Sequence, residues 1–452
     1  MNASLVCDYY ELTMAGGYFA AGMSEKTAYF DLFFRSVPDG GGYAVAAGLR
    51  EAAEYAAGLR FSSEDIDYLH SLGAFNDDFL RYLLSFRFTG DIYAVPEGTP
   101  VFPGEPLLTV KAPIIEAQLL ETYLLLTVNH QSLVATKASR IARAAAGRPV
   151  TDFGARRAHG ESAAVLGARA AYIGGCAGTS CTEAARLFGL PHGGTMAHSW
   201  VMLFPGEYEA FTAYIAQYPD KPTLLVDTYN TLGSGVPNAI RAFTQSGVTE
   251  GAIRLDSGDL AALSKKARAA LNLAGLERIR IVASGSLDEH AIRALIARGA
   301  CIDAFGVGER LITSQSDPVF TGVYKLAAVE TDGVITPAVK ISDTPQKHTM
   351  PHYKRLYRLY SAESGKALAD CLRLHSENPP ALRGAATREL HGIVVKNGEL
   401  TSPAPDARAV RDYCAEQLST LPEGVKRLNN PAAYRVRPSR KLISAARKAR
   451  RR

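Results

Sequence analysis

The sequence predicts an α/β protein with a central parallel sheet or irregular, incomplete βα barrel, an N-terminal α/β domain and a C-terminal extension. At 452 residues the chain is too long for one ordinary core, so more than one domain is expected. In the centre, short apolar runs begin about 20–30 residues apart and alternate with helical patterns. Each run ends in a polar or glycine-rich segment, as strands of such folds do where they meet a binding site.

The N-terminal region, residues 1–125, carries mixed signals. Thr27 to Phe34 is typical of a strand, and Phe61 to Phe86 has helical periodicity. Ile92 to Val110 is rich in Pro and Gly between short apolar runs, which favours a small β-rich unit. Helical spacing returns from Ile115 to Arg143.

The central domain is expected at residues 126–335. Its predicted strands are Pro149–Thr151, Thr223–Val226, Ala252–Leu255, Ile279–Ala283 and Ile302–Phe305. No G-x-G-x-x-G joins a first strand and helix, and no G-x-x-x-x-G-K-[ST] occurs, so a dinucleotide-binding Rossmann fold and a P-loop are not expected.

The C-terminal region, residues 336–434, is Pro-rich and charged, with a predicted hairpin at Lys354–Leu368. Residues 435–452 contain nine Lys or Arg and no acid, and removing them from the net charge of +5 leaves −4 for the body. A solvated, disordered tail is the first interpretation, and a nucleic-acid or membrane contact is the alternative.

The bulk properties favour a soluble, globular protein of the cytoplasm. The chain is 47% hydrophobic and 21% charged, close to the globular average. The six cysteines form no C-x-x-C pair or zinc-like pattern, and neither a signal peptide nor a membrane span is expected.

Two central segments offer groups for catalysis. Asp152 to Arg157 places an aromatic ring beside two guanidiniums, which suits ring stacking and anion binding, although a surface turn is the alternative. His198 lies among small residues next to Trp200, the only tryptophan, and could be a nucleophile or general base. A structural histidine is the ordinary alternative.

The predicted strand ends carry carboxylates and glycines. Asp227 and Asp256 could hold Mg²⁺ through water or meet a sugar, whereas Asp259 could simply cap the following helix. Ser284-Gly285-Ser286 and Gly306-Val307-Gly308 could be anion-binding turns or merely tight turns. Together these groups indicate an enzyme that acts on a phosphorylated sugar.

Read in order, nine segments between about Asp8 and Leu372 resemble nicotinate phosphoribosyltransferases. They are Asp8 to Met14, Phe33 to Arg35, Gly42-Tyr43, Ala135 to Ala138, Asp152 to Arg157, Gly194 to Trp200, Val226 to Tyr229, Ile253 to Asp259 and Phe305 to Gly308. The resemblance implies that nicotinate and phosphoribosyl pyrophosphate form nicotinate mononucleotide and pyrophosphate, in NAD salvage. It also implies ATP and Mg²⁺, with ATP hydrolysis driving the reaction through a phosphorylated histidine.

The resemblance assigns roles to individual residues. His198 would be phosphorylated, Asp227 and Asp256 would act at the ribose, and Asp256 would meet the metal. Phe153 would stack on one pyridine face, and Tyr10 of a second subunit would cover the other, which implies a homodimer. Arg156 and Arg254 would meet pyrophosphate and the nicotinate carboxylate. The phosphate-binding residues would be Lys137, Ser284, Gly285, Gly306 and Gly308.

Two positions bear on substrate preference. Ser180 aligns with an aspartate of the related nicotinamide-using enzymes, and a serine there avoids repelling a carboxylate. Glu309 stands where members of the family commonly carry a small hydroxyl residue, and an acid beside a phosphate turn repels its ligand unless it points away.

The competing interpretations are a nicotinamide or a quinolinate phosphoribosyltransferase and a non-catalytic, nucleotide-binding relative. Ser180 disfavours the first, and quinolinate enzymes are typically much shorter chains. His198 disfavours a non-catalytic sensor. A nucleic-acid partner would depend on the basic tail alone and is disfavoured, and no membrane partner is expected.

Overall fold

The computed structural model describes residues 3–340 and 349–451. Its α-helices are α1 Tyr9–Ala20, α2 Leu49–Gly58, α3 Ser63–Ser71, α4 Asp77–Leu84, α5 Ile114–Gln118, α6 Glu121–Ala144, α7 Glu161–Ile173, α8 Thr182–Phe188, α9 His198–Leu203, α10 Glu207–Gln217, α11 Val236–Ser246, α12 Leu260–Leu273, α13 Glu289–Ala297, α14 Glu309–Ile312, α15 Ala407–Thr420 and α16 Arg440–Ala449. Among the described residues, no helix combines the length and apolar character that crossing a bilayer requires.

The strands are β1 Thr27–Phe34, β2 Ala44–Val45, β3 Asp91–Ala94, β4 Pro100–Val101, β5 Leu108–Pro113, β6 Val150–Asp152, β7 Gly178–Thr179, β8 Thr223–Leu225, β9 Gly251–Leu255, β10 Ile279–Ala283, β11 Ala304–Val307, β12 Gly322–Thr331, β13 Val334–Pro337, β14 Lys354–Ser361, β15 Ala367–Leu374, β16 Ala385–Glu389, β17 Gly392–Lys396, β18 Glu399–Leu400 and β19 Val436–Pro438.

The chain divides into two compact units. The first unit comprises residues 1–133, 319–405 and 412–452, and the second comprises 134–318 and 406–411. The sequence predicts 336–434 as a C-terminal region that packs on the body, and most of these residues belong to the same unit as the N-terminal region. Residues 341–348 of that region lie outside the described residues.

The second unit is built on a six-stranded parallel sheet in the order β7-β6-β11-β10-β9-β8. Its strands coincide closely with the five apolar runs of the sequence, and β7 is an additional short edge strand. Within the described residues β7 and β8 are the end strands of this sheet and do not pair with each other, so the predicted irregular, incomplete βα barrel is confirmed. Because the strands are parallel, their carboxyl ends share one edge of the sheet.

Helix α12 shows how the sequence sets an element of this unit. The Asp259 carboxylate accepts hydrogen bonds from the backbone N–H groups of Ala261 and Ala262, at 3.1 and 3.2 Å, and so caps the first turn. Leu260, Ala267 and other small or apolar residues are buried along one side of the helix. The capping interpretation of Asp259 is confirmed.

The first unit contains a seven-stranded antiparallel sheet in the order β13-β12-β1-β5-β3-β17-β18. Strand β1 has the bounds that the sequence predicts, and it is buried along most of its length because its residues are mainly apolar and aromatic. The predicted hairpin is also present, as the antiparallel pair β14 and β15 in a four-stranded sheet ordered β16-β14-β15-β19.

The expectation of a disordered basic tail is wrong for residues 435–451. Strand β19 runs parallel to β15, and α16 follows it, with the Ser439 hydroxyl accepting from the Leu442 N–H at 3.0 Å. Leu442, Ala446 and Ala449 recur every three or four residues and are buried, whereas most of the cations point outward. The regular spacing of apolar residues, rather than the net charge, therefore determines that this segment is folded. Arg452 lies outside the described residues.

Candidate active site

The carboxyl edge of the second unit's sheet gathers most of the predicted site residues. Phe153 follows β6, Asp227 lies two residues after β8, Asp256 follows β9, and Ser284 follows β10. Arg254 is the last residue but one of β9 and points toward the same edge, as its contacts with these groups show. The strand ends therefore form one cluster, as the parallel arrangement requires.

The guanidinium of Arg254 is held at all three nitrogens. Its Nε donates to Ser284 Oγ at 2.7 Å, Nη1 to Thr195 Oγ1 at 3.0 Å and Nη2 to Asp256 Oδ1 at 2.5 Å. Its side chain is only 14% exposed, and its carbon Cζ lies 5.3 Å from the centre of the Phe153 ring. A fixed cation beside an aromatic face is suited to a planar anionic ring.

Asp256 is placed to stay ionised. Burial raises the pKa of this carboxyl, but the hydrogen bond from Ser284 and the charge of Arg254 together outweigh burial, and its pKa is lowered. The positive charge of a protonated His198 also favours the ionised form. A carboxylate that stays charged at neutral pH can stabilise positive charge that develops on a bound sugar.

Asp227 lies directly beside Asp256 and has one uncommitted oxygen. Its Oδ2 accepts from the Asp256 N–H at 2.9 Å and from Ser257 Oγ at 2.7 Å. Its Oδ1 is buried and has no hydrogen-bond partner among the described residues. Because a buried carboxylate oxygen rarely stays unsatisfied, this atom is a natural contact for a ligand or cation.

The Phe153 ring is held by the glycines of β11 and its turn. Its backbone N–H donates to Val307 O at 2.8 Å, and a Cβ on Gly306 would lie 2.2 Å from Cε2 of the ring. Gly306 is buried, so its lack of a side chain makes room for the ring. Gly308, which is partly exposed, is the better placed of the two glycines to contact a ligand.

Asp152 fixes the turn that carries Phe153. Its carboxylate accepts from Thr179 Oγ1 and from the Gly154 N–H, each at 2.8 Å. Burial raises the pKa of Asp152, and these two hydrogen bonds oppose that effect. The side chain is fully buried, so its role is to shape the turn.

The turn after β10 requires its glycine. Gly285 has a φ of +95°, and a Cβ there would lie 2.0 Å from the carbonyl oxygen of Asp256. The close approach keeps Ser284 next to Asp256, while Gly285 and Ser286 are exposed. The turn is therefore tight, and its exposed backbone is available to an anion.

His198 is the first residue of α9 and is partly exposed. Its Nδ1 lies 3.2 Å from Thr228 Oγ1, next to Asp227 in the chain. The histidine is thus oriented by a hydroxyl and keeps a solvent-accessible surface, which suits a nucleophile or a general base.

Comparison with known proteins decides the family. Residues 149–370 match the nicotinate phosphoribosyltransferase (NAPRTase) family, residues 5–129 its N-terminal domain and residues 381–445 its C-terminal domain. The chain belongs to the nicotinate phosphoribosyltransferase family. The resemblance seen in the sequence is confirmed, and the chain is an enzyme of that family.

Curated nicotinate phosphoribosyltransferases are similar over almost their whole length. One from Mycobacterium tuberculosis is 43% identical over 97% of this chain and 92% of its own, and one from Bacillus subtilis is 42% identical over 96% and 92%. The crystal structure of human nicotinic acid phosphoribosyltransferase matches with a TM-score of 0.86 and 30% identity, over 98% of this chain and 99% of that one.

Within the described residues, four of the predicted site residues make no side-chain hydrogen bond to the cluster at the strand ends. Lys137 is buried, and its Nζ donates to Glu289 at 3.0 Å and to Ser316 at 2.7 Å, so its contacts support α13. Arg156 and Ser180 are exposed, and the Ser180 N–H donates to Asp152 O at 2.8 Å. Tyr10 belongs to the first unit, where α1 leaves it exposed.

Glu309, the departure from the family pattern, starts α14 and is exposed. Its Oε2 lies 3.4 Å from Nε of Arg157, and its Oε1 accepts a long hydrogen bond from Gln315, at 3.4 Å. The neighbouring guanidinium compensates much of the negative charge, which reduces the expected repulsion of a phosphate at Gly308.

The donor set at the strand ends fits Mg²⁺. The described residues contain no cluster of three His, Cys, Asp or Glu side chains that would hold a metal alone. Mg²⁺, however, is usually bound by one or two carboxylates together with substrate phosphates. Oδ1 of Asp227 has no hydrogen-bond partner in the part of the chain that the structure describes and can coordinate the ion. Oδ1 of Asp256 already accepts hydrogen bonds from Arg254 and Ser284.

Sequence reasoning missed the hydroxyl groups that organise the site. Thr195 holds Arg254, Thr228 holds His198, and Thr179 holds Asp152. Each lies within or beside a predicted motif, but the partner of Thr195 is 59 residues away. Only the position of Thr228 next to Asp227 gave a signal that could have been used.

Proposed function

We propose that this enzyme joins nicotinate to phosphoribosyl pyrophosphate, forming nicotinate mononucleotide and pyrophosphate in NAD salvage. ATP and water give ADP and phosphate in the same cycle, through a phosphorylated His198. The observation that carries the proposal is the fixed guanidinium of Arg254, which lies over Phe153 and beside two carboxylates.

Nicotinate is expected to stack on Phe153 with its carboxylate near Arg254. The cation and ring are 5.3 Å apart, a distance compatible with one planar, negatively charged ligand that meets both. Ser180 adds no charge near β7 that would repel the carboxylate. Arg156 is exposed at the same turn as Phe153 and is free to meet pyrophosphate.

Transfer requires the bond between C1′ of the sugar and pyrophosphate to break while the pyridine nitrogen forms its bond to C1′. The positive charge that develops on the sugar favours nearby carboxylates. Asp256, whose pKa is lowered, and Asp227 would supply them. Pyrophosphate leaves with the bonding electron pair, so the pyridine nitrogen becomes positively charged and no proton is transferred.

The anionic donor needs backbone and cationic partners. The turn after β10, in which Ser284 is buried and Gly285 is exposed, and the partly exposed Gly308 would meet its phosphates, and Gly306 would act mainly by placing Phe153. Mg²⁺ held by Asp227 and Asp256 would neutralise phosphate charge. Lys137 would contribute indirectly, by supporting the helix that follows the turn.

His198 would accept the γ-phosphoryl group of ATP. The P–O bond to ADP breaks, a P–N bond forms to the imidazole, and water later releases phosphate. The added group carries about two negative charges, which Arg254 and the metal would offset. Thr228 keeps the ring in place before this step.

A homodimer is part of the proposal. Tyr9, Tyr10 and Met14 are exposed together on α1 of the first unit, and grouped exposed apolar side chains often mark a protein interface. A second copy that covers them would bring Tyr10 to the open face of the pyridine ring. The six scattered cysteines of the sequence, which form no C-x-x-C pair, are compatible with a reducing cytoplasm, which we propose as the location.

The substrate is tested by offering nicotinate, nicotinamide and quinolinate separately, each with phosphoribosyl pyrophosphate, ATP and Mg²⁺. Nicotinate should be consumed at the highest kcat/KM, and Ser180→Asp should lower that value and raise the one for nicotinamide. Preference of the wild type for either other substrate would overturn the proposed substrate, and no turnover with any of them would favour a non-catalytic relative.

A further inference from the structure

Thr195 joins two parts of the site that the proposed function uses separately. Its Oγ1 accepts a hydrogen bond from Nη1 of Arg254 at 3.0 Å and donates to Met196 O at 3.1 Å. His198 follows three residues later, at the start of α9. The residue that would bind the nicotinate carboxylate is thus bonded to the segment that carries the phosphoryl acceptor.

The hydroxyl of Thr195 sets the orientation of the guanidinium. The other two nitrogens of Arg254 are bonded to Ser284 and Asp256, on one side of the group. Without the Thr195 hydroxyl, Nη1 loses its only bonded partner among the described residues, and the planar group can tilt about the remaining two contacts. Its charge stays, but its direction is no longer fixed.

The segment from Thr195 to His198 is tied at both ends. Arg254 holds its first residue, Thr228 lies 3.2 Å from the histidine Nδ1, and Met196 between them is buried. The three peptide units between Thr195 and His198 span at most about 11 Å, so a displacement of the histidine would be transmitted to Thr195 over a short distance. A phosphoryl group adds about two negative charges at His198 and so changes the electrostatic forces on that ring.

ATP can drive product formation only if the phosphorylated and unphosphorylated enzymes bind substrate differently. We propose that Thr195 is a positioning residue that links the phosphorylation state of His198 to the orientation of Arg254, and through it to nicotinate binding. The inference rests on the proposed function, because it assigns the route by which ATP acts on the nicotinate site.

The test compares Thr195→Val, which keeps the shape and removes the hydroxyl, with Thr195→Ser, which keeps the hydroxyl. For each, KM for nicotinate is measured with and without ATP, and phosphorylation of His198 is measured separately with radiolabelled ATP. A hydrogen bond to a charged group typically accounts for about a tenfold change or more in binding. Thr195→Val should therefore lose about tenfold of the ATP effect on KM, with His198 still phosphorylated.

Thr195→Ser should keep the wild-type ATP effect. The inference is overturned if Thr195→Val keeps the full effect, or if the wild type forms product with a KM that ATP does not change. Wild-type enzyme that forms no nicotinate mononucleotide would instead overturn the proposed function itself. Should Thr195→Val not fold, Thr195→Ala carries the same prediction.

Discussion

Replacing Gly306 by alanine would put a methyl group where the Phe153 ring now lies. The new Cβ would be 2.2 Å from Cε2 and 2.5 Å from Cδ2 of the ring, whereas ordinary contact begins at 3.4 Å. The backbone of Gly306 is not in the left-handed region, so alanine itself is not strained there. The ring must therefore move by about 1.2 Å, the difference between these contact distances.

A displacement of this size should affect catalysis more than stability. Overpacking a well-filled site costs about 1–3 kcal/mol, which a protein of this size tolerates. Misplacing a positioning group by about 1 Å can reduce the rate about 100-fold. We therefore expect Gly306→Ala to fold and to lose about 100-fold in kcat/KM for nicotinate.

The assay is steady-state formation of nicotinate mononucleotide at saturating phosphoribosyl donor and ATP. Gly392→Ala is the matched control, because a Cβ there has no atom within 4 Å and the residue belongs to the first unit, outside the substrate site. In a Phe153→Leu background, Gly306→Ala should add little, since both changes act on the same ring. The reasoning is refuted if Gly306→Ala has the same kcat/KM as the control variant.

Three further predictions concern residues outside the substrate site. Burial raises the pKa of Glu11 from 4.5 to about 7, so the folded state binds its proton more tightly than the unfolded state, and stability falls as pH rises from about 4.5 to 7. Glu11→Gln should remove up to about 3 kcal/mol of the change in unfolding free energy over that pH range, measured by urea titrations at several pH values, and an unchanged pH dependence would contradict the assignment. Leu442→Ala should cost about 2–5 kcal/mol by removing a buried side chain of α16, and no shift of the urea midpoint would mean that the helix does not pack as described. Asp259→Ala should lower Tm through loss of the α12 cap while kcat/KM stays unchanged, and a large loss of activity would show a catalytic role instead.

The sequence predicted the strands well because their signals are local. β1 has the predicted bounds, and the runs at β8, β9 and β10 each lie within one residue of the structure. A short apolar run followed by a polar or glycine-rich segment contains both the strand and its end. The gathering of Asp227, Asp256 and Ser284 then follows from parallel pairing.

Features that depend on distant partners were not predictable in the same way. The structure places Lys137 on Glu289, a residue 152 positions away, whose charge no local pattern could reveal. The order of the basic tail depends on β15 and on the buried face of α16, which net charge alone conceals. The role of the Thr195 hydroxyl, in the loop before α9, was overlooked because its partner Arg254 lies 59 residues away, on β9.

We infer that the edge of the second unit's sheet binds nicotinate and that phosphorylation of His198 drives the reaction there. The most direct test is nicotinate mononucleotide formation with and without ATP, by the wild type and by His198→Ala. We expect ATP to stimulate the wild type strongly and to have no effect on the variant, which should keep slow, ATP-independent turnover. Equal stimulation of both proteins by ATP would contradict this inference.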